Sequence, residues 1–568
     1  MDAEVLAVAA LSPSYNALVV VALCLAALAL AAFARVLRRV FAAFKAERTW
    51  ASRKRRYDLT DRGFLPAEAV PKLPPYFEPW EVLAARLPEL NATGLLYDFV
   101  KYLPLLDATK LLTLEDRVAA LRRAYAILGC AVQSYAWRHG ACWEIVGGKG
   151  PQRRSTIDQP RQGEPTEVPM QLALPWRAVC QALDLPAGAI CACGTDLWNW
   201  QLAKPEARGE PLAPLARGST ALPRAADYVL TTSMTATATE AAFHSLATAM
   251  QQRAAPDLKQ LLAAPDFVSA KDEASVLRLL RLLTALLRDF KSIFHDVWAA
   301  VDADVFYDVH RPLLSGSWER PLRLCGDADC PPILARAKGP SAGQSSIFML
   351  IDVALGVRRA ADAKLGVDAA SASAHATFQS EMLAYMPAPH RELVAAFADA
   401  TAKSGSLVAY VANKVDPRFR RLHSVFGGSQ IDKCELSTAL TKALEAYGDL
   451  RRFHLSVATR YLRRTSVGTG GTARAPTRCT LRCESSRARG RLRAQPRVVP
   501  PRPCSIACWR FCSIKLSSEG RTLVRETPSG SDFVPMLKDA LRRTVDAAHE
   551  SGDRTHACAP QTGNEKGD

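Results

Sequence analysis

Of the residues in this 568-residue chain, His454 has the surroundings best suited to cofactor chemistry. It belongs to a long helical pattern in which apolar residues three and four positions apart form one stripe with it: Leu440, Ala443, Tyr447, Leu450, Val457 and Tyr461. An imidazole on that stripe points into the interior, where its neutral form can bind haem iron as an axial ligand. The residues alone leave a second interpretation open, a hydrogen-bonded histidine of the core.

Asp352 is a second candidate functional residue, because it is a charged side chain within the apolar segment IFMLIDVALGV. A buried carboxylate needs a partner, since it is costly to remove an unpaired charge from water. Arg451, three residues before His454, is the candidate partner. The two residues predict a buried ion pair.

The segment GPSAGQSS, residues 339–346, immediately precedes that apolar helix. Its small residues let the backbone approach a ligand closely, and its serines can cap the helix. It lacks the lysine of a phosphate-binding loop and follows no strand, so phosphate binding is not indicated. By itself the segment also fits an ordinary loop and cap, and GTGG at residues 468–471 by itself indicates only a flexible loop.

The elements that must position these residues are helices. Apolar residues recur three and four apart in three long segments, whereas alternating, strand-like patterns are scarce. The three segments are LEDRVAALRRAYAILGCAVQSYAW, ASVLRLLRLLTALLRDFKSIFHDVWAAV and LSTALTKALEAYGDLRRFHLSVATRYL. We therefore expect the body of the protein to be mainly α-helical.

An unbroken run of apolar and small residues, ALVVVALCLAALALAAFA at residues 17–34, predicts a transmembrane signal anchor. Asp2 and Glu4 precede it and basic residues follow it, so the positive-inside rule predicts a single-pass protein with its body on the cytoplasmic side. The membrane could also be that of an organelle. A buried helix and an organelle-targeting leader are the alternatives left open.

The formal net charge of +17 is concentrated in two segments. Residues 35–56 carry nine basic and one acidic residue, and residues 473–530 carry thirteen basic and three acidic residues. Together these segments exceed the whole positive excess, so the rest of the chain is about neutral. A neutral body offers no basic groove, and we therefore expect no nucleic-acid partner. Outside residues 473–530 the cysteines show no paired spacing, which indicates a reducing compartment rather than a disulfide framework.

Residues 473–530 form a basic insert rich in Arg, Pro, Ser and Cys, without an apolar period. Its Cys-x₃-Cys steps do not match the usual Cys-x₂-Cys zinc spacing. A disordered insertion or a retained intron is therefore favoured over a zinc module or a basic binding arm. A helical pattern returns in the C-terminal segment, residues 531–568.

Several separated motifs occur in an order that resembles the indoleamine 2,3-dioxygenase family, over about residues 57–465. They are YDLTDRGFLP, LPPYFEPWEVLAARLPEL, LGCAVQSYAW, LALPWRAVCQALDLP with LWNW, FYDVHRPLLSG, GPSAGQSSIFMLIDVALG, YMPAPHREL and RRFHLSVATRYL. Removing residues 472–530 would join GTGG to SDFVPMLKDALRRTVDAA, which is the continuation expected in that family.

The resemblance implies an all-α fold of two helical domains with haem b between them. The implied organisation is an anchor and basic segment at residues 1–56, a small domain at 57–200, a large haem-binding domain at 201–472, the insert at 473–530 and a C-terminal helix and tail at 531–568.

The resemblance also implies roles for individual residues. His454 corresponds to the proximal ligand of the haem iron, and Asp352 with Arg451 to the ion pair that supports it. The implied substrate-binding residues are Phe306 against the indole, Tyr307 beside it, Arg311 on the substrate carboxylate, Ser341 and Ala342 in the loop behind the substrate, and Thr469 in a mobile loop. A guanidinium suits a carboxylate because it forms paired, charge-assisted hydrogen bonds. No residue is expected to act as an acid or a base.

The implied reaction inserts both atoms of O₂ across the indole C2–C3 bond of L-tryptophan or a related indoleamine. The product is N-formylkynurenine, the first intermediate of the kynurenine pathway, and an electron donor must keep the iron ferrous. Two alternatives stay open, a non-catalytic O₂-binding haem protein of the same fold and a haem-free structural relic.

The chain departs from the family pattern in places that concern substrate preference more than haem binding. Thr231 or Thr232 is assigned to the position of a distal serine, and CACGTD replaces a tyrosine-bearing strip before LWNW. Pro340 replaces a flexible residue of the loop behind the substrate, and His310 lies beside Arg311.

Overall fold

The computed structural model describes residues 47–138, 165–203, 222–317, 321–357, 381–415 and 433–462, together with the backbone of 142–144 and 152–154. Residues 47–56 are helical. The helices that follow are α1 (Glu78–Thr93), α2 (Leu96–Lys101), α3 (Arg117–Arg138), α4 (Met170–Leu183), α5 (Ala238–Leu261), α6 (Ala264–Ser269), α7 (Glu273–His295), α8 (Val297–Ala300), α9 (Ala303–Val305), α10 (Ser346–Leu355), α11 (Ala388–Ser404), α12 (Leu407–Val415) and α13 (Lys433–Leu462).

The strands are two or three residues long, and several of their residues, including Val168 and Leu324, are buried in the core. They are β1 (Cys142–Glu144), β2 (Gln152–Arg154), β3 (Thr166–Val168), β4 (Gln201–Leu202), β5 (Tyr228–Val229), β6 (Leu322–Leu324) and β7 (Ile333–Ala335). β6 pairs parallel with β3 and antiparallel with β7, and the pairs β1–β2 and β4–β5 are antiparallel. The prediction of a mainly helical body is confirmed, and these strands are an addition that sequence periodicity missed because two or three residues are too few to show alternation.

The centre of the described structure is the packing of α13 along α7. In α7 apolar residues recur three and four positions apart, and those on the inward face are buried: Val276, Leu279, Leu280, Leu283, Leu287, Phe290 and Ile293. Asp272 caps the helix by accepting a hydrogen bond from the Ser275 N–H at 3.0 Å. On α13 the six apolar residues of the predicted stripe are all buried. The two stripes face each other because each can leave water only against another apolar surface.

α5 packs on another side of α7 and is held at its start by polar contacts. Thr237 caps it by accepting from the Glu240 N–H at 3.1 Å. The buried Glu240 carboxylate accepts hydrogen bonds from Ser233, from Thr235 and from the Met234 N–H. Burial alone would raise the pKa of Glu240, but His310 and these hydrogen bonds hold the pKa below its usual range. The first turns of α5 are therefore fixed in place.

A buried ion pair joins α1 to α3. Arg123 donates to both carboxylate oxygens of Glu81, at 3.0 and 2.6 Å, and both side chains are about 5% exposed. Arg123 also donates to Thr232 Oγ1 at 2.9 Å, which ties the loop after β5 to the pair.

Removing Arg123 should leave the Glu81 carboxylate buried without its cation. We expect Arg123→Met to lower the free energy of unfolding by about 3–5 kcal/mol, measured by urea denaturation. The double variant Glu81→Leu, Arg123→Met should recover much of that loss, because it removes both charges from the interior. Equal losses in the single and double variants would contradict this account.

His390, on α11, is almost fully buried with its ring edge-on to Phe64 at 4.8 Å. Burial, with a smaller effect of the Arg122 charge, lowers the pKa of His390 to about 3. In the unfolded chain the pKa is about 6.5, so protons bind the unfolded chain first as the pH falls. The resulting contribution to stability is complete above about pH 6.5 and declines from there toward pH 3.

Between pH 7 and pH 5, the wild-type protein should therefore lose about 2 kcal/mol more unfolding free energy than His390→Leu. Urea unfolding at the two pH values measures this difference. His295→Leu is the matched control, because it removes an exposed histidine instead of a buried one. Parallel profiles for wild type and His390→Leu would show that His390 does not titrate in this way.

Several predictions from the sequence lie outside the described residues: the apolar segment at 17–34, the GTGG loop with Thr469, the insert at 473–530 and the segment at 531–568. Within the part of the chain that the structure describes, no helix is both long and apolar enough to cross a bilayer. The anchor and the division near residue 200 stay predictions.

Candidate haem site

A cavity of about 270 Å³ lies among α5, α10, α13 and the loop at residues 339–346. Its lining includes apolar side chains from four separate elements: Phe243, Phe294, Phe348 and Leu450. His454 lies in the same wall as Leu450, and Phe294 of α7 packs edge-on against its imidazole at 5.5 Å between ring centres. The histidine that the sequence singled out therefore lines a partly open, mostly apolar cavity.

The pKa of His454 is lowered to about 4, by burial first and by the Arg451 charge second. Its imidazole is therefore neutral at physiological pH, which is the form that binds a metal. Within the described residues, no cluster of three His, Cys, Asp or Glu side chains could hold a metal ion alone. Two imidazoles line the cavity: His244, which is hydrogen-bonded to Asp196, and His454, which packs against Phe294. A macrocycle that brings its own four nitrogens needs only one imidazole as a ligand, so His454 in this mostly apolar wall fits haem.

A polar cluster of Asp352, Tyr447 and Arg451 adjoins His454 in the same wall. Arg451 contacts Asp352, and the Tyr447 hydroxyl donates to Asp352 Oδ1 at 2.8 Å while accepting from Arg451 at 3.0 Å. Burial alone would lower the pKa of Arg451, but Asp352 and Tyr447 raise it above its ordinary value. The partner that the sequence indicated for Asp352 is therefore in contact with it, and Tyr447 is a third member that the sequence analysis treated as apolar.

The backbone places Asp352 at the end of α10. That helix stops at Gly356, whose φ of +77° is costly for other residues, and a Cβ there would overlap the Ser406 side chain. The close approach of residue 406 thus fixes where α10 ends. Asp352 consequently faces α13 rather than solvent.

The loop at residues 339–346 forms part of the cavity lining. Ser341 and Ala342 both line it, and Ser341 caps the short turn Ala342–Gln344 by accepting from the Gly343 N–H at 3.2 Å. The Gln344 side chain accepts from the Ala192 N–H at 2.8 Å and donates to the Gly339 carbonyl at 2.9 Å. The loop is therefore tied to the segment around residue 192, which forms the adjoining wall.

Phe306, Tyr307 and Arg311 do not line the cavity. Phe306 is buried one layer behind it, with its ring 4.9 Å from that of Phe243, which does line it. The Arg311 guanidinium lies over the Tyr307 ring at 5.0 Å. The structure thus brings His454, Asp352, Arg451, Ser341 and Ala342 together around the cavity and sets the other three predicted contacts back from it.

The assignment of Thr231 or Thr232 as a distal hydroxyl is wrong for this structure. Neither residue lines the cavity, because both bond to Asn199, through Thr231 Oγ1 at 2.9 Å and the Thr232 N–H at 2.7 Å. That wall is formed instead by α5, which contributes Phe243, His244 and Ala247.

Sequence reasoning also missed a buried chain of polar groups, called here the Asp–His–His chain: Asp196, His244 and His310. Asp196 Oδ1 lies 2.7 Å from His244 Nδ1, and His244 Nε2 lies 3.2 Å from His310 Nε2. Asp196 and His310 lie in single π-helical turns, Cys193–Leu197 and Phe306–His310, a rare geometry that recurs at functional sites. Two features of the sequence pointed to this chain: the segment CACGTD, which contains Asp196, and His310 beside Arg311. Only the fold brings these two residues to His244.

The Tyr447 hydroxyl should contribute measurably, because it bonds two charged groups. We expect Tyr447→Phe to lower the unfolding free energy by about 1.5–3 kcal/mol. Tyr410→Phe is the matched control, since the buried Tyr410 hydroxyl has no hydrogen-bond partner among the described residues and its removal should cost little. Comparable losses in the two variants would argue against a special contribution from the cluster.

Comparison with known proteins agrees with this picture. The family model described as Indoleamine 2,3-dioxygenase matches residues 53–545. The chain is 27% identical over 417 residues to an indoleamine 2,3-dioxygenase of Penicillium citrinum, covering 70% of this chain and 77% of that protein. It is 26% identical over 419 residues to a 6-hydroxytryptophan 2,3-dioxygenase of Fusarium equiseti, covering 72% and 84%. It is 24% identical over 420 residues to a myoglobin of Haliotis diversicolor, covering 71% and 86%.

Proposed function

This chain belongs to the indoleamine 2,3-dioxygenase family, and from that premise we propose that it is a haem-dependent dioxygenase that cleaves the indole ring of L-tryptophan or a related indoleamine to the N-formylkynurenine type of product. The observation that carries the proposal is His454, a neutral imidazole in the wall of an apolar cavity. The chemistry that bound ferrous haem would supply is the activation of O₂ for insertion of both atoms across the indole C2–C3 bond.

The residues of this chain would hold and orient the reactants. His454 would be the proximal ligand, with Arg451 and Asp352 fixed behind it by Tyr447. A cation this close disfavours protonation of the imidazole and so keeps its lone pair available. The apolar side chains of the cavity would exclude water from the reacting ring.

The substrate would enter beside the loop that carries Ser341 and Ala342. Phe306 and Tyr307 are proposed to support the indole from behind. Phe243 lies between Phe306 and the cavity, so Phe306 would act on the indole by packing against Phe243. Arg311 is proposed to bind the substrate carboxylate, which requires its side chain to leave the Tyr307 ring. Thr469 keeps its proposed place in a loop that closes over the site.

The test combines haem retention with product formation. His454→Ala should lose the Soret absorbance of the purified protein and with it the formation of N-formylkynurenine from tryptophan, ascorbate and a redox mediator. His295→Ala, which removes an exposed histidine of α7, should retain both. The decisive assay uses protein from which residues 472–530 have been removed and which is otherwise unchanged. If this protein takes up haem but forms no product, the enzyme assignment is overturned.

A second function has a specific observation in its favour, the similarity to a protein named myoglobin. In that case the chain would bind O₂ reversibly without turnover. A stable oxygenated spectrum that tryptophan does not perturb would favour the oxygen-binding function over the dioxygenase.

A further inference from the structure

The Asp–His–His chain is a polar feature of the cavity wall that the proposed reaction does not use. Asp196 and His244 line the cavity, whereas His310 lies behind them with its side chain fully buried. A polar group removed from water is costly unless it is hydrogen-bonded, so a carboxylate and an imidazole joined in a mostly apolar wall call for a function.

The direction of the hydrogen bonds follows from the chemistry of the groups. A carboxylate only accepts, so His244 Nδ1–H donates to Asp196 Oδ1. With both imidazoles neutral, His244 Nε2 then accepts from His310 Nε2–H. Burial lowers the pKa of His310 to about 3, so the His310 imidazole is neutral, and with His244 in the same neutral form the chain has this direction. Every donor in the chain is thus directed toward the carboxylate.

Asp196 is the member of the chain that a ligand can reach. Its side chain is 22% exposed and that of His244 is 2% exposed. Both side-chain hydrogen bonds that Asp196 forms with described residues, from His244 and from Thr195 Oγ1, fall on Oδ1. Acceptor capacity therefore remains on Oδ2.

We propose that Asp196, positioned by His244 and His310, is a specificity-determining residue that accepts a hydrogen bond from a donor on the aromatic ring of the ligand. The donor is either the indole N–H or a ring hydroxyl, which share the same chemistry. A cavity with an acceptor already in place discriminates against a ring that cannot donate, because such a ring leaves the carboxylate desolvated and unpaired. The inference rests on the proposed function, which identifies the ring as an indole. The preference for a ring that donates a hydrogen bond is argued from the Asp–His–His chain.

The test is calorimetric titration of the purified full-length protein with three ligands: tryptophan, tryptophan methylated on the indole nitrogen, and the positional isomers of hydroxytryptophan. Two affinities are compared with that of tryptophan: the affinity for the N-methylated form and the affinity for each hydroxytryptophan. In one of these comparisons we expect the wild type to bind the ring with the hydrogen-bond donor about tenfold more tightly, or better. Loss of affinity on methylation identifies the indole N–H, and gain of affinity on hydroxylation identifies a ring hydroxyl.

The variant Asp196→Val should abolish that preference. His244 would then lose its acceptor, so the triple variant Asp196→Val, His244→Leu, His310→Leu, in which the whole chain is apolar, guards against a local folding defect and should lack the preference as well. Asp98→Asn, which removes an exposed carboxylate paired with Lys101, is the matched control and should keep it. Affinity ratios within about twofold in the wild type, or a preference that survives in the triple variant, would overturn the proposal.

Failure of this inference and failure of the dioxygenase assignment are distinguishable. The ratio of affinities is measured by heat of binding, whether or not the protein retains haem. A haem-loaded protein that forms product from tryptophan but shows no ring preference loses the inference alone, whereas a ring preference without haem uptake supports the inference and contradicts the dioxygenase.

Discussion

The packing of α13 along α7 is the constraint on which the rest of the site depends. Both helices bury an apolar stripe, and His454 lies on the stripe of α13 at the point where Phe294 of α7 meets it. Because each stripe can leave water only against the other, rotation of α13 about its axis would expose leucine and tyrosine side chains. The direction of the imidazole is thus set by the hydrophobic effect over the whole length of a 30-residue helix.

Polar groups are arranged around this apolar site in two separate clusters. Asp352 of α10 is hydrogen-bonded with Tyr447 and Arg451 of α13, so the Arg451 charge, three residues from the candidate ligand His454, is paired. In the wall formed by α5, Asp196 and His244 form a second cluster with His310. Burial first, and the Arg451 charge of the first cluster second, lower the pKa of His454, and Asp196 of the second cluster faces the cavity as an acceptor.

Membership of a family at about a quarter identity leaves room for such local differences. In this chain the segment around residues 192–196 and the start of α5 contribute Ala192, Cys193, Asp196, Phe243 and His244 to the cavity wall. A dioxygenase and an oxygen-binding protein can share one scaffold, because function depends on the groups that face the cavity rather than on the fold. The ring preference of this chain is therefore to be tested at that wall.

The sequence by itself determined what local periodicity and residue type can encode. The stripe of α13 predicted that His454 faces inward, and the apolar run around Asp352 predicted a buried carboxylate with Arg451 as its partner, since a buried charge must be paired. The ordered motifs identified the family. Only the tertiary structure decided that Ser341 and Ala342 line the cavity while Phe306, Tyr307 and Arg311 are set back, and that Thr231 and Thr232 bond to Asn199 instead. It alone brought Asp196, His244 and His310 together, because residues 48 and 66 positions apart meet through the packing of helices and two π-helical turns, and no period in the sequence records such contacts.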